Sequence, residues 1–168
     1  DPVMVASSGD LLLQPQALSS LQTTLIAVAD LITPNLYEAQ VLLAETGSPL
    51  PSTLAQMQAM ALRLQQQGKA VLLKGGHGTG PKSTDVLCIG GHCEVLEAER
   101  VQTKNTHGTG CSLSAAIASY CAQGHSLGAA VTRAKSYISG AIAQADKLHI
   151  GAGAGPIHHF YASDCSHA

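Results

Sequence analysis

The chain is 168 residues long, 45% hydrophobic and only 12% charged: about one domain's worth of chain, with enough apolar material for a sizeable core. Its net charge of −2, without a basic tract or interleaved aromatics, argues against a charge-driven nucleic-acid binder, and no stretch reaches the roughly 18 uninterrupted apolar residues of a membrane helix. Five cysteines without framework spacing, and no charged segment leading into an apolar leader, point to a reducing cytoplasm rather than a disulfide-stapled secreted module.

In chain order, "PVMVA" (residues 2–6) reads as a short buried strand. A complete α/β domain usually places something before such a strand, so the chain reads as the later part of a longer protein. "QPQALSSLQTTLIAVA" has helical spacing with Pro15 in its first turn, and "DLITPN" is a strand broken at Thr33-Pro34. "LYEAQVLLAETG" predicts a helix closed by Gly47. "TLAQMQAMALRLQQQG" is a clearer amphipathic helix, capped by Thr53 or Ser52 at its start and by Gly68 at its end. "KAVLLKGG" is a continuous apolar strand of the kind covered on both faces. "STDVLCIGGHCEVLEAERV" is two β runs around Gly90-Gly91, a hairpin. After residue 105 the chain reads as helical: one helix from Cys111 to Gln123 ended by Gly124, then another from about Leu127 to Ala145. Strands alternating with helices, then a hairpin and a helical end, predict an α/β layered fold with a mostly parallel sheet.

Three stretches carry candidate chemistry. "GGHGTGPKST" nearly spells a P-loop, but Pro81 separates Gly80 from Lys82 and a strand follows where a P-loop opens a helix. The same glycine-rich turn lies after the carboxyl end of a strand, where α/β sheets bind ligands, and Lys74 at that end is able to reach a phosphate. "HGTGCS" puts glycines before a helix start, whose unpaired N–H groups and dipole suit an anion and favour a thiolate at Cys111. The plain alternative is an ordinary tight turn into a core helix. "TPNLYEA" places Asn35 and Glu38 on one helix face after a strand end. Glu38 has the chemistry to hold hydrated Mg²⁺, or the two residues form a capping box, and the readings are compatible.

Two further features read as structural. In "PIHHF" the adjacent histidines point apart and lack a third ligand at matching spacing. Across the hairpin, Cys88 and Cys93 face each other as a non-hydrogen-bonded pair at about 4.5 Å between Cα atoms, compatible with a disulfide. In a cytoplasm the expectation is two free thiols.

Together "DPVMVASSGD", "LITPNLYEA", "VLLKGGH", "TKNTHGTGCSLSAAIA" and "GAGAGPIHHFY" resemble the hydroxymethylpyrimidine/phosphomethylpyrimidine kinases of thiamine biosynthesis, members of the ribokinase superfamily. The match runs in order over residues 1–161, leaving 162–168 as a tail. "NTHGTGC" is the most specific piece, because sugar kinases of the superfamily usually carry aspartate at the cysteine position. The resemblance implies a ribokinase-like three-layer α/β/α fold lacking its N-terminal strands, with ATP and Mg²⁺ as cofactors and an aminopyrimidine alcohol or its phosphate as substrate. It implies that Gly108, Thr109 and Gly110 form an anion hole for the transferring phosphoryl group. Cys111 is then the base that accepts the substrate hydroxyl proton. Asn35 and Glu38 match an N-x-x-E element that positions Mg²⁺ through water. Asp1, Lys74 and Gly76 lie along the ATP phosphates and metal. Where the family usually has lysine, this chain has Ser7. The acceptor pocket belongs to the N-terminal part of such kinases, so activity is expected to need that part. A pyridoxal kinase-like enzyme and a non-catalytic nucleotide-binding fragment are the alternatives. No nucleic acid or membrane partner is expected. The sheet edge left by absent strands offers a pairing surface for a second copy, a homodimer.

Overall fold

A computed structural model describes residues 1–5, 12–65, 68–76 and 80–163. Ser7, the middle of the glycine turn (residues 77–79) and most of the expected tail (164–168) lie outside the described residues. The chain divides into two compact units, Asp1–Glu97 and Ala98–Ala168.

A four-stranded sheet in the order β1-β2-β3-β4 is made of Leu31–Ile32 (β1), Ala70–Lys74 (β2), Lys82–Ile89 (β3) and His92–Glu99 (β4). The α/β class is as expected, and the sheet is mixed. β1 runs parallel to β2, with Ile32 beside Val71, whereas β3 runs antiparallel to β2, with Lys74 beside Asp85. Val71, Leu72 and Leu73 are all at most 1% exposed, so β2 is covered on both faces, as its unbroken apolar run requires. One face belongs to a core in which Val71, Leu73 and Val86 meet Met57, Met60 and Leu64. Those last three lie on helix α3 (Leu54–Gln65), whose start is a capping box. The Thr53 hydroxyl accepts the Gln56 amide at 3.2 Å, and the Gln56 side chain accepts the Thr53 and Ser52 amides at 3.1 and 2.8 Å.

Three elements differ from their sequence expectation. The run "PVMVA" does not form a strand among its described residues. Val3 takes a positive φ of 45°, and the Met4 amide donates at 3.2 Å to a Glu38 side-chain oxygen rather than to a ladder. The first helix is α only over Pro15–Ser20 (α1) and continues as a π-helix over Leu21–Ile26, where the Thr23 hydroxyl bonds back to the Ser19 carbonyl at 2.9 Å. Helix α2 (Leu36–Leu42) stops before Gly47. Ala44 adopts the left-handed conformation (φ 57°), and the Glu45 amide reaches back to the Gln40 carbonyl at 2.8 Å, a Schellman-type end built on alanine.

The hairpin between β3 and β4 turns through Gly90 and Gly91, with φ of 56° and 84°, the pair of positive values that a type I′ turn demands. One step out, Cys88 and Cys93 are joined by a disulfide with Cα atoms 4.2 Å apart, which corrects the expectation of two free thiols. The tight turn already holds the two Cα atoms within bonding range.

The second unit is built on two helices, α4 (Thr109–Ala122) and α5 (Leu127–Ala143), packed through Leu113, Ile117, Val131, Ala134 and Ile138. Gly124 (φ 89°) closes α4, and the Ser126 side chain caps α5 at the Ala129 amide. The segment after α5 folds back on it. Ile157 is 1% exposed, the His158 amide donates to the Ala141 carbonyl at 3.0 Å, and the Tyr161 ring lies where a Cβ on Gly140 would be. Burial, then the neighbouring Tyr161 and Tyr120, push the Tyr137 phenol up; it stays an O–H that donates to the His159 carbonyl at 3.3 Å. Among the described residues no helix is long and apolar enough to cross a membrane.

The disulfide closes a loop only five residues apart in sequence. In the chain-entropy account so short a loop contributes about 2 kcal/mol at most, and the glycine turn supplies part of that order already. Urea denaturation with and without dithiothreitol should therefore show a loss of about 2 kcal/mol or less. Loss of the folded state on reduction would mean that the hairpin depends on the bond rather than on its turn.

Candidate phosphate and metal site

In the first unit the candidate residues gather where β1 and β2 end. Asn35 and Lys74 face each other in a parallel bridge, and the Lys74 amide donates to the Pro34 carbonyl at 2.9 Å. The Lys74 ammonium donates at 2.8 Å to a carboxylate oxygen of Asp1, which also accepts the Thr33 hydroxyl at 3.4 Å. Both side chains of this ion pair are mostly buried, 15% and 11% exposed, so water screens it less than a surface pair.

Asn35 and Glu38 form a complete capping box on α2. The Asn35 side chain accepts the Glu38 amide at 2.9 Å, and Glu38 returns the bond by accepting the Asn35 amide at 2.7 Å. Glu38 is 2% exposed, and its other oxygen accepts the Met4 amide. The structural reading of "N-x-x-E" therefore holds in full. Each carboxylate oxygen keeps one further acceptor position. With Asp1, the group presents oxygen donors of the kind Mg²⁺ takes alongside water and phosphate.

Gly76 is exposed and follows Gly75, where a Cβ would overlap the Thr84 carbonyl and Met57. The Gly75 amide donates at 2.9 Å to Asp85, a carboxylate only 5% exposed on β3. Asp85 and Thr33 were not singled out from the sequence. The available signal for Asp85 is a charge at the head of the apolar run "VLCI", which in a covered strand has to be satisfied.

In the second unit Gly108 (φ 81°) is the N-cap of α4, which begins two residues earlier than expected and makes Cys111 its third residue. Thr109 turns inward: its amide and hydroxyl both donate to the Thr106 carbonyl, at 3.3 and 2.7 Å. Among the described residues no acceptor takes the amides of Gly110 and Cys111, and the Cys111 side chain is exposed. The turn thus offers adjacent N–H donors and a thiol at the positive end of a helix.

Residues 1–158 match the family model described as phosphomethylpyrimidine kinase. The chain belongs to that family. It is 47% identical over 162 residues to a hydroxymethylpyrimidine/phosphomethylpyrimidine kinase of Rhizobium meliloti, a match that covers 96% of this chain and 60% of the relative. Among solved structures, an ADP complex of Bacillus subtilis pyridoxal kinase superposes with a TM-score of 0.84 at 34% identity, covering 97% of this chain and 60% of that one. A phosphomethylpyrimidine kinase of Clostridium difficile gives 0.69 at 36% identity, with coverage of 84% and 55%. The fold is thus the ribokinase-like α/β fold, and the chain spans about 60% of the length of the relatives it matches.

Replacing Asp85 tests how the Gly75 turn is held. Asp85→Ala strands the Gly75 amide and should lower stability by about 1–3 kcal/mol, whereas Asp85→Asn keeps an acceptor and should lose clearly less. Urea denaturation of the two variants measures this, and equal losses would show that the bond to Gly75 is unimportant.

Proposed function

We propose that this chain carries the nucleotide-binding and catalytic part of a kinase that transfers the γ-phosphoryl group of MgATP to the hydroxymethyl group of the thiamine pyrimidine precursor and to its monophosphate. The observation that carries the reading is the pair of unaccepted amides at Gly110 and Cys111 beside an exposed thiol at a helix start. Phosphoryl transfer needs little covalent chemistry from a protein; it needs positioning and stabilisation of charge. The turn of Gly108, Thr109 and Gly110 presents the amides of Gly110 and Cys111 to the phosphoryl oxygens as negative charge spreads over them, while the Thr109 amide stays bonded to Thr106. Cys111 serves as the base that takes the proton of the attacking hydroxyl while that oxygen bonds to phosphorus and the bond to ADP breaks. Lys74, steadied by Asp1, and the backbone at Gly76 serve the phosphate chain. Asp1 and Glu38, with Asn35, would hold Mg²⁺ through water, and the ion when bound neutralises charge on the phosphate oxygens.

A second reading has specific support: the likeness to the ADP complex of a pyridoxal kinase favours pyridoxal as acceptor with the same nucleotide chemistry. Assays offering hydroxymethylpyrimidine and pyridoxal side by side separate the two.

Calorimetry should show MgADP or MgATP binding that is lost in Gly110→Val, whose side chain would block the backbone approach. A folded wild type that binds neither nucleotide would end the kinase reading, and equal binding by both proteins would remove the turn from it. In kinase assays Cys111→Ala should lower kcat by about 10²- to 10⁴-fold with nucleotide affinity nearly unchanged. Cys111→Asp should recover part of the rate, because a carboxylate is also a proton acceptor. A buried structural cysteine would behave in the opposite order, and an alanine variant with near-normal kcat would end the assignment of Cys111 as base.

A further inference from the structure

We propose that Asn105 is the positioning residue of the phosphate turn: its side-chain amide clamps the turn to the glycine-rich segment that follows α5, so that the amides of Gly110 and Cys111 are set before an anion arrives. The clamp acts on the turn assigned under the proposed function, and its effect there rests on that reading.

Asn105 is only 8% exposed and uses its amide fully across the fold. Its nitrogen donates to the Asp146 carboxylate at 2.8 Å and to the Ala145 carbonyl at 3.4 Å. Its oxygen accepts the Gly155 amide at 3.1 Å. The backbone amide of Asn105 donates at 3.0 Å to the Thr103 hydroxyl, which itself donates to the same Asp146 carboxylate. One side chain therefore ties residues 103–105 to partners 40 to 50 positions later in the chain. The tie continues directly into the turn: the His107 amide donates to the Gly155 carbonyl at 3.0 Å, and His107 forms a parallel bridge with Pro156. Gly155 has to be glycine, because a Cβ there would overlap the Asn105 amide oxygen.

This arrangement does more than satisfy a buried amide. Beyond the His107 bond to Gly155, the stretch from Thr106 through the N-cap Gly108 to Thr109 shows, among the described residues, the local bonds from Thr106 to Lys104 and from Thr109 to Thr106. With both ends of the turn fixed, by Asn105 and His107 on one side and by the helix on the other, the glycines between them lose most of their freedom. Asp146 sets the direction of the amide: as an acceptor it selects the Asn105 nitrogen and leaves the oxygen for Gly155.

The test uses the whole chain and two readouts. Without nucleotide, Asn105→Ala should speed hydrogen exchange of the bonded amides of Thr106, His107 and Thr109 by about tenfold or more while the buried core of α4 and α5 keeps its protection, as expected for a local opening. With MgADP, the same variant should bind about tenfold more weakly, the effect of losing one well-made buried hydrogen bond. Ile117→Val, which trims the core of α4 away from the turn, serves as the control: it should lower Tm without changing MgADP affinity. The exchanged pair Asn105→Asp with Asp146→Asn restores a donor facing an acceptor and should recover protection that Asn105→Asp alone loses. If Asn105→Ala leaves exchange in the turn unchanged, or loosens the whole chain uniformly, the clamp is refuted. Should wild type fail to bind MgADP while exchange responds as stated, the clamp stands and the phosphate reading of the turn falls.

Discussion

A buried carboxylate governs the geometry of the first unit. Glu38 is nearly inaccessible, and burying an ionised group is unfavourable unless hydrogen bonds replace its water. Two backbone amides do so, from Asn35 at the start of α2 and from Met4 near the start of the chain. The first bond fixes the angle at which α2 leaves β1. The second draws residues 1–5 against that junction, where Asp1 meets Thr33 and Lys74. Glu38 supports the pairing of Asp1 with Lys74, together with the burial of Met4 and Val5 and the Leu12 amide that donates to the Met4 carbonyl at 2.8 Å. The carboxylate is thus an anchor first, and any service to a metal uses what acceptor capacity remains.

Elements defined by short-range signals were legible. Two glycines between β runs gave the hairpin, Thr53 and Gln56 gave the start of α3, and an unbroken apolar run gave a strand covered on both faces. Ends set by less usual chemistry were not. Helix α2 ends on a left-handed alanine, although Gly47 three residues later is the residue that such a conformation favours. In "PVMVA" the apolar run was real, as the burial of Met4 and Val5 shows, but burial alone does not choose between a ladder and a bond to Glu38. The disulfide was visible as a facing pair, and the expectation from compartment pulled the other way.

The candidate site was legible to the same degree and for the same reason. A glycine turn before a helix, a cysteine near its start and an asparagine three residues before a glutamate are local patterns, and the structure presents them, with the helix beginning at Thr109 rather than at Cys111. What escaped notice were the groups that hold those patterns in place. Asp85 and Asp146 carry no motif, and Asn105 opens "NTHGTGC" without a role legible from its neighbours, because their partners come from distant parts of the chain or from the facing strand. Buried polar side chains of this sort become meaningful only when their acceptors and donors are known.

The two kinds of residue are complementary in physical terms. A phosphate can approach the backbone at Gly108 and Gly110 because neither has a Cβ, and for the same reason neither resists wandering through conformations that present no donors. A donor that must be ordered when the ligand binds gives back part of the binding free energy as lost conformational freedom. Donors ordered beforehand do not, and they are also the ones able to stabilise charge as it develops without reorganising. A glycine turn of this type therefore works in proportion to how firmly something outside it fixes its ends. In this chain the turn is tied by an asparagine buried just before it, the aspartate that orients that asparagine and a glycine that leaves it room.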